Sequence, residues 1–412
     1  MLTERAWAVL GGAALLWVAS RLVGSPDLHM VSVGLMALVP LAALLVRVRR
    51  HRLRATRRLS ARRAFPGTRI RVDLEVQNLG ESRTSLLLLE DRLPSALGPP
   101  ARLVIPHVPS GARQTVSYEF TPRRRGRYAV GPLIAQVTDP FDLVRRRIEF
   151  DETHDLIVYP EVESLEATQV ASSIGGSGES SSRQLFRTGE EFYTMRHYEM
   201  GDDLRRIHWP STARIGELMI RQDETARRAA AVIFLDTRRD ATGAVRGNFE
   251  KAVSAAASIG TLYLRAGYVL RLASPDLPPQ QVGREQFLET LALIRPSKAP
   301  FLSPSLQRLR SVGGANPAMV VVTHPPAPAE LAALSRISAV YGSKLAVLMV
   351  PHEIDDLYLR PRAELERRVE GARLSLLRAG WDVLVLDARR RLSDIWQRRS
   401  KRPAPRTTAA SS

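Results

Sequence analysis

Two apolar runs near the start of the chain, Trp7 to Gly24 and Met30 to Val46, constrain its fold more than any other feature. Each approaches the roughly 20 residues that a helix needs to cross the hydrocarbon core of a bilayer. The short polar link from Ser25 to His29 predicts a hairpin with both ends on the same side. Directly after it, between Arg47 and Arg63, come nine arginines and no acid. Positive charge beside a span marks the cytoplasmic face. The expectation is therefore a cell-membrane protein with two spans and the bulk of the chain cytoplasmic, with Arg47–Arg63 meeting anionic lipid headgroups. Glu4 dilutes the positive charge a signal peptide would place there, and a second apolar run follows at once, which argues against cleavage.

The formal net charge of +18 invites a nucleic-acid reading. Most of the surplus, however, lies in the Arg47–Arg63 cluster and in the stretch from Arg389 to Ser412, where eight basic residues face Asp394 alone. The remainder is close to neutral, so no specific nucleic-acid partner is expected. The chain has no cysteine, which excludes disulfides, thiolate metal sites and cysteine nucleophiles.

Past the basic cluster, short alternating runs such as Ile70 to Val76 and Thr115 to Phe120 are punctuated by Asn78-Leu79-Gly80 and Pro109-Ser110-Gly111. Period-two alternation with turn residues predicts an antiparallel β-sandwich of immunoglobulin-like size. Gly175 to Ser182 has linker composition. From Ala230 onward, apolar runs of strand length alternate with helical periodicity, which predicts a doubly wound α/β domain. The expected chain is thus multi-domain: a transmembrane hairpin at 1–50, a basic juxtamembrane segment at 51–66 and a β-sandwich at 67–162. A flexible linker at 163–185, a dense polar segment at 186–226, the α/β domain at 227–400 and a disordered tail at 401–412 complete it.

Ligands of doubly wound folds sit at the carboxyl ends of the strands. The first strand of the α/β domain ends in Asp236-Thr237-Arg238-Arg239-Asp240. An aspartate there, followed by hydroxyl residues, resembles the Mg²⁺ site of von Willebrand factor A-type domains, which use Asp-x-Ser-x-Ser with a Thr and an Asp from later loops. Asp236, Asp240 and Thr323 are the candidate ligands. The pattern is degenerate, because Arg238 and Asp240 stand at the serine positions and His324 follows Thr323. A guanidinium among the ligands opposes a cation, and the competing expectation is that Asp236 bonds loop backbone or an arginine. A metal-dependent ligand-binding or enzymatic module remains the alternative function.

The segment from Gly189 to Arg214 interleaves carboxylates, arginines and aromatics too closely for an ordinary amphipathic element. Arg–carboxylate pairs about Gly201 would order it for presentation to a partner. A nucleophile at Ser211 with His208 as base is also conceivable on spacing, but it lacks an orienting third group.

This segment resembles the bacterial family known as domain of unknown function 58. The shared pattern is Glu-Phe, Arg-x-Tyr, Gly-Asp, Arg-x-Ile-x-Trp and Ala-Arg, standing here as Glu191-Phe192, Arg196 and Tyr198, Gly201-Asp202, Arg205, Ile207 and Trp209, and Ala213-Arg214. The layout is similar too: two spans, a β domain containing Asp139-Pro140-Phe141, then a von Willebrand factor A-like domain. Pro210 departs from the pattern, since a basic residue often follows the tryptophan. The resemblance brings no established enzymatic activity, so no enzyme is expected, and no cofactor apart from the Mg²⁺ of the alternative reading. It implies instead an adaptor or scaffold for a MoxR-type AAA+ ATPase or its client, alongside other membrane or von Willebrand A proteins, in assembling cell-envelope or metalloprotein complexes. The chain has no phosphate-binding Gly-x-x-x-x-Gly-Lys-Ser/Thr loop, so it would be the partner of such a motor.

Overall fold

In the computed structural model the described residues are 2–48, 52–139, 141–166, 193–198, 203–223, 229–239, 246–310, 317–350, 362–387 and 390–400. The chain divides into two compact units, Met1–Pro160 and Glu161–Ser412.

The first unit begins with helices Glu4–Val23 and Pro26–Val48, both long and apolar enough to cross a membrane. Thr3 caps the first, accepting from the Ala6 N–H, and Gly24 ends it at φ 71°, the left-handed conformation that lets the chain reverse without a Cβ clash. The open end of the hairpin packs on the β domain, where Ala6, Val39, Ala42 and Val46 cluster with Leu143 and Val144. The Thr3 hydroxyl donates to the Asp142 carbonyl at 2.6 Å.

Ten strands follow: β1 Leu53–Leu59, β2 Arg63–Ala64, β3 Ile70–Asn78, β4 Leu87–Asp91, β5 Ala101–Ile105, β6 Arg113–Phe120, β7 Gly126–Val130, β8 Leu133–Thr138, β9 Arg145–Phe150 and β10 His154–Val158. They form sheets ordered β1-β3-β6, β2-β10-β7 and β5-β4-β8-β9, antiparallel except where β2 joins β10. The alternation expected in β3 is present, with Ile70, Val72, Leu74 and Val76 buried and the residues between them more exposed. Val72, Leu74 and Val76 meet Leu87, Leu89, Leu133, Ala135 and Val137 of the facing sheet, while Ile70 packs with Ala64, Val130, Leu156 and Val158.

Two boundaries differ from those expected. Strand pairing starts inside the arginine-rich stretch, because Leu53, Ala55, Arg57 and Leu59 share one face of β1 and pair along β3. Arg57 is therefore a buried residue of the β domain and not a headgroup ligand. At the other end, residues 163–166 are packed on the second unit, where Glu163 receives the Ser393 N–H at 2.9 Å and the Glu166 carbonyl accepts from Trp396 Nε1 at 3.2 Å.

The second unit contains a two-stranded ribbon, β11 Tyr193–His197 with β12 Met219–Asp223, and a six-stranded sheet. The sheet consists of β13 Ala230–Leu235, β14 Val269–Ala273, β15 Gln280–Gln281, β16 Ala318–Thr323, β17 Lys344–Val350 and β18 Asp382–Asp387. Its order is β15-β14-β13-β16-β17-β18, parallel except for the β15 edge. Ala231 to Leu235 and Met319 to Val322 are wholly buried, the continuous apolar text of strands covered on both faces. The helix Arg246–Arg265 lies so close that a Cβ on Gly260 would stand 2.2 Å from Phe287 Cζ and 2.9 Å from Ile233 Cδ1. The strand order reverses between β13 and β16, which makes the crevice beyond their carboxyl ends the place where folds of this class bind ligands.

Candidate functional site

At that reversal β13 delivers Asp236 and β16 delivers Thr323 and His324. Asp236 and Thr323 are fully buried, and His324 is 4% exposed. The loop after β13 is pinned by the Ser297 N–H, which donates to the Thr237 carbonyl at 2.6 Å, and by the Arg239 N–H, which donates to the Ser297 carbonyl at 2.9 Å. Arg238 folds back over the strand end and grips Asp236 bidentately, Nε to Oδ1 at 3.0 Å and Nη2 to Oδ2 at 2.9 Å. The Arg238 N–H also donates to Oδ1 at 3.1 Å, and the Thr323 hydroxyl donates to Oδ2 at 2.8 Å.

The other side of the guanidinium is taken by Glu330, from the first turn of the helix Pro328–Ser338, which pairs with Arg238 Nη1. Glu330 also accepts the Ala327 N–H at 2.9 Å, capping its own helix. One guanidinium thus bridges two buried carboxylates from separate elements. Burial works against the Arg238 charge, but the hydrogen bonds and charge of Asp236, with those of Glu330, outweigh it and raise its pKa. Beside this satisfied trio are polar atoms with no hydrogen-bond partner among the described residues: both His324 ring nitrogens and the Thr237 hydroxyl. Burial pushes the His324 imidazole down to about 4, so it is neutral at physiological pH.

The donor set does not fit the Mg²⁺ of the alternative sequence reading, and Asp236 instead bonds an arginine. A carboxylate offers about four lone-pair sites, and those of Asp236 already receive the four hydrogen bonds from Arg238 and Thr323. A divalent ion at about 4 Å from the guanidinium would meet a repulsion of order 8 kcal/mol even at an effective dielectric constant of about 20. Asp240 lies outside the described residues. Among the described residues no group of three His, Asp or Glu side chains is arranged to hold a metal ion. Glu330 was not singled out in the sequence. Its only signal there is position, a glutamate after Pro328 at the start of a helix, with nothing local to announce Arg238 as its partner.

The described part of the polar segment belongs to the second unit and is arranged about the β11–β12 ribbon. The backbone of Arg196 lies on β11 opposite Ile220, and the Tyr198 N–H donates to the Leu218 carbonyl at 2.8 Å. Arg205 lies in a 3₁₀ turn, Leu204–Arg206, capped by Asp203, whose carboxylate accepts the Arg205 N–H at 3.0 Å. Trp209 opens the helix Trp209–Ile215 and is 66% exposed, while Arg214 lies in its last turn. Leu204, Ile215 and Leu218 are exposed with it. Glu191, Gly201 and Asp202 lie outside the described residues. His208 and Ser211 do meet, Nδ1 to Oγ at 2.9 Å, and the same Nδ1 caps the helix by accepting the Ser211 N–H at 3.3 Å.

In the first unit, sequence reasoning passed over the role of Asp139. Its carboxylate accepts from the N–H groups of Phe141, Leu143 and Val144, at 2.8, 2.7 and 2.5 Å, and so shapes the loop that holds the end of the hairpin. The signal available was an aspartate at the head of a turn, the residue that bonds backbone donors just after it.

Comparison with known proteins places this geometry. Residues 194–345 match the family described as Protein of unknown function DUF58. The uncharacterized protein YeaD of Bacillus subtilis (strain 168) is 26% identical over 271 residues, 63% of this chain and 63% of YeaD, so the match spans under two thirds of either. Among solved structures, the CARDB domain of the PF1109 protein from Pyrococcus furiosus is 16% identical, covering 26% of this chain and 93% of that one at a TM-score of 0.20. A β-glucosidase from Listeria innocua is 11% identical, covering 24% of this chain and 16% of the enzyme at a TM-score of 0.16. Overlaps that small carry no argument about fold or activity. The match at 194–345, which takes in the exposed Trp209 helix and the Asp236–Arg238 strand end together, makes this part of the chain a domain of the DUF58 family.

Proposed function

We propose that the chain is a membrane-anchored, cytoplasm-facing adaptor whose DUF58 domain binds another protein, a MoxR-type AAA+ ATPase or a client of one. The observation that carries the reading is the Trp209 segment, where an exposed tryptophan stands with Leu204, Ile215 and Leu218 and with the exposed Arg205 and Arg214. Tryptophan and arginine are the residues that dominate binding energy where proteins meet. The two apolar N-terminal helices supply the anchor, and the arginines after them favour the cytoplasmic side. The β domain reads as an immunoglobulin-like spacer, and the 3-2-1-4-5-6 sheet with an antiparallel third strand as von Willebrand factor A-like.

The reading is tested by crosslinking and affinity capture of the full-length protein from its native membrane, beside Trp209→Ala and Arg205→Ala variants. An AAA+ ATPase should be recovered with the wild type and lost with the variants. Capture unchanged in both variants would remove the role given to this segment, and capture of no ATPase would remove the partner.

A further inference from the structure

We propose that Arg238 is the built-in cation of this α/β domain, occupying with its guanidinium the place of a divalent metal, so that the domain folds without one. The location is the strand-order reversal at β13 and β16, where a ligand or ion would be expected. The charges are those of a metal site: the Asp236 carboxylate from the strand end, a second carboxylate from Glu330 on the helix Pro328–Ser338, and the Thr323 hydroxyl from the neighbouring strand. What lies between the carboxylates is a guanidinium bonded to both, Nε and Nη2 on Asp236 and Nη1 on Glu330.

Geometry makes this a replacement and not a neighbouring ion pair. Arg238 is 8% exposed, and Asp236 has no lone pair left after its bonds to Arg238 and Thr323. A planar fork of five N–H donors can serve two carboxylates at once, as a metal does, without an open coordination position. The functional consequence is specific. A metal ion with an open coordination position can take a further ligand from outside, whereas a guanidinium already bonded to two buried carboxylates offers no such vacancy. The site therefore withstands chelation. This inference is independent of the adaptor reading, because it concerns the site's own cation.

The test is thermal unfolding of the full-length, detergent-solubilised protein in EDTA and in millimolar Mg²⁺ or Mn²⁺. Wild-type Tm should be the same in all three. Arg238→Ser, which frees both carboxylates and supplies a hydroxyl, should lower Tm in EDTA and recover several degrees with metal, as a ligand bound only by the folded state requires. Adding Asp236→Asn to that variant should abolish the recovery. Arg238→Met, closer in volume, serves if the serine variant fails to fold. A wild-type Tm that rises with metal, or an Arg238 variant that loses no stability and gains nothing from metal, would overturn the proposal. The wild-type titration decides even if neither variant folds.

Discussion

Each of the two units is built around a buried arginine–aspartate pair, and the pairs differ in what surrounds them. Arg57 of β1 bonds Asp91 of β4, Nε to Oδ2 at 3.0 Å, and its Nη1 reaches the carbonyls of Val130 at 3.2 Å and Glu152 at 2.8 Å. The Tyr118 hydroxyl of β6 donates to Asp91 at 2.6 Å, so the network draws on strands of all three sheets of its unit. Every group named in it has a partner. Arg238 and Asp236 are as well bonded, but they lie at a strand-order reversal with a second carboxylate, and beside them the His324 ring nitrogens and the Thr237 hydroxyl have no hydrogen-bond partner among the described residues. Unpaired buried polar groups cost stability and are rare in folded proteins unless something else requires them. The comparison teaches that one kind of ion pair can be closed within a fold's interior in one place and stand where folds of its class bind ligands in another, and that the surroundings tell them apart.

The largest expected effect falls on the scaffold. Asp91→Ala leaves the Arg57 charge buried and unpaired, and should cost the β unit about 3–5 kcal/mol. Urea unfolding followed by far-UV circular dichroism measures it. Replacing both partners, with Arg57→Met and Asp91→Leu, should recover much of that loss. A loss under about 1 kcal/mol, of surface-pair size, would dissolve the distinction between the two pairs.

Next is Arg238→Met in EDTA, which should cost about 3 kcal/mol by exposing two buried carboxylates to one another. The loss should register in the fluorescence of Trp381 and Trp396, both buried in the second unit. The β unit should unfold as before, and a shift in its transition would show that the two pairs are not separate.

Smaller near neutral pH, and growing only as the solution is acidified, is the contribution of His324. Because its folded pKa is depressed to about 4 from an ordinary 6.5, the unfolded chain binds the extra proton first as pH falls. Stability is therefore full above about pH 6.5 and declines by at most about 1.4 kcal/mol per pH unit down to about 4. His324→Leu should flatten that slope in the second unit. An unchanged slope would place the titration elsewhere. Smallest of all, Asp73→Ala breaks an exposed pair with Arg71 and should leave the unfolding midpoint where it was.

Much of this architecture was legible because it is periodic. The hairpin follows from two apolar runs, β3 from its alternation, and β13 and β16 from unbroken apolar text. The β1 strand was missed because an arginine occupies one of its inward positions. Leu53, Ala55, Arg57 and Leu59 do alternate, but a guanidinium at the third place, inside a run of arginines, reads as solvated charge until Asp91 is known to face it. The site divides in the same way. Asp236 with Arg238 is readable at a spacing of two, since both lie on one short loop. Glu330 is not, because no local period connects a helix-capping glutamate to a loop arginine 92 residues earlier.

The most direct test of the central claim is titration of Mn²⁺ into the full-length protein, watched through the six-line electron paramagnetic resonance signal of the free aquo ion. For wild type, where Arg238 already holds Asp236 and Glu330, the signal should grow as it does in buffer, whereas Arg238→Ser should withdraw about one equivalent. Loss of one equivalent to the wild type, abolished by Asp236→Asn, would contradict the claim that the guanidinium stands where the metal would be.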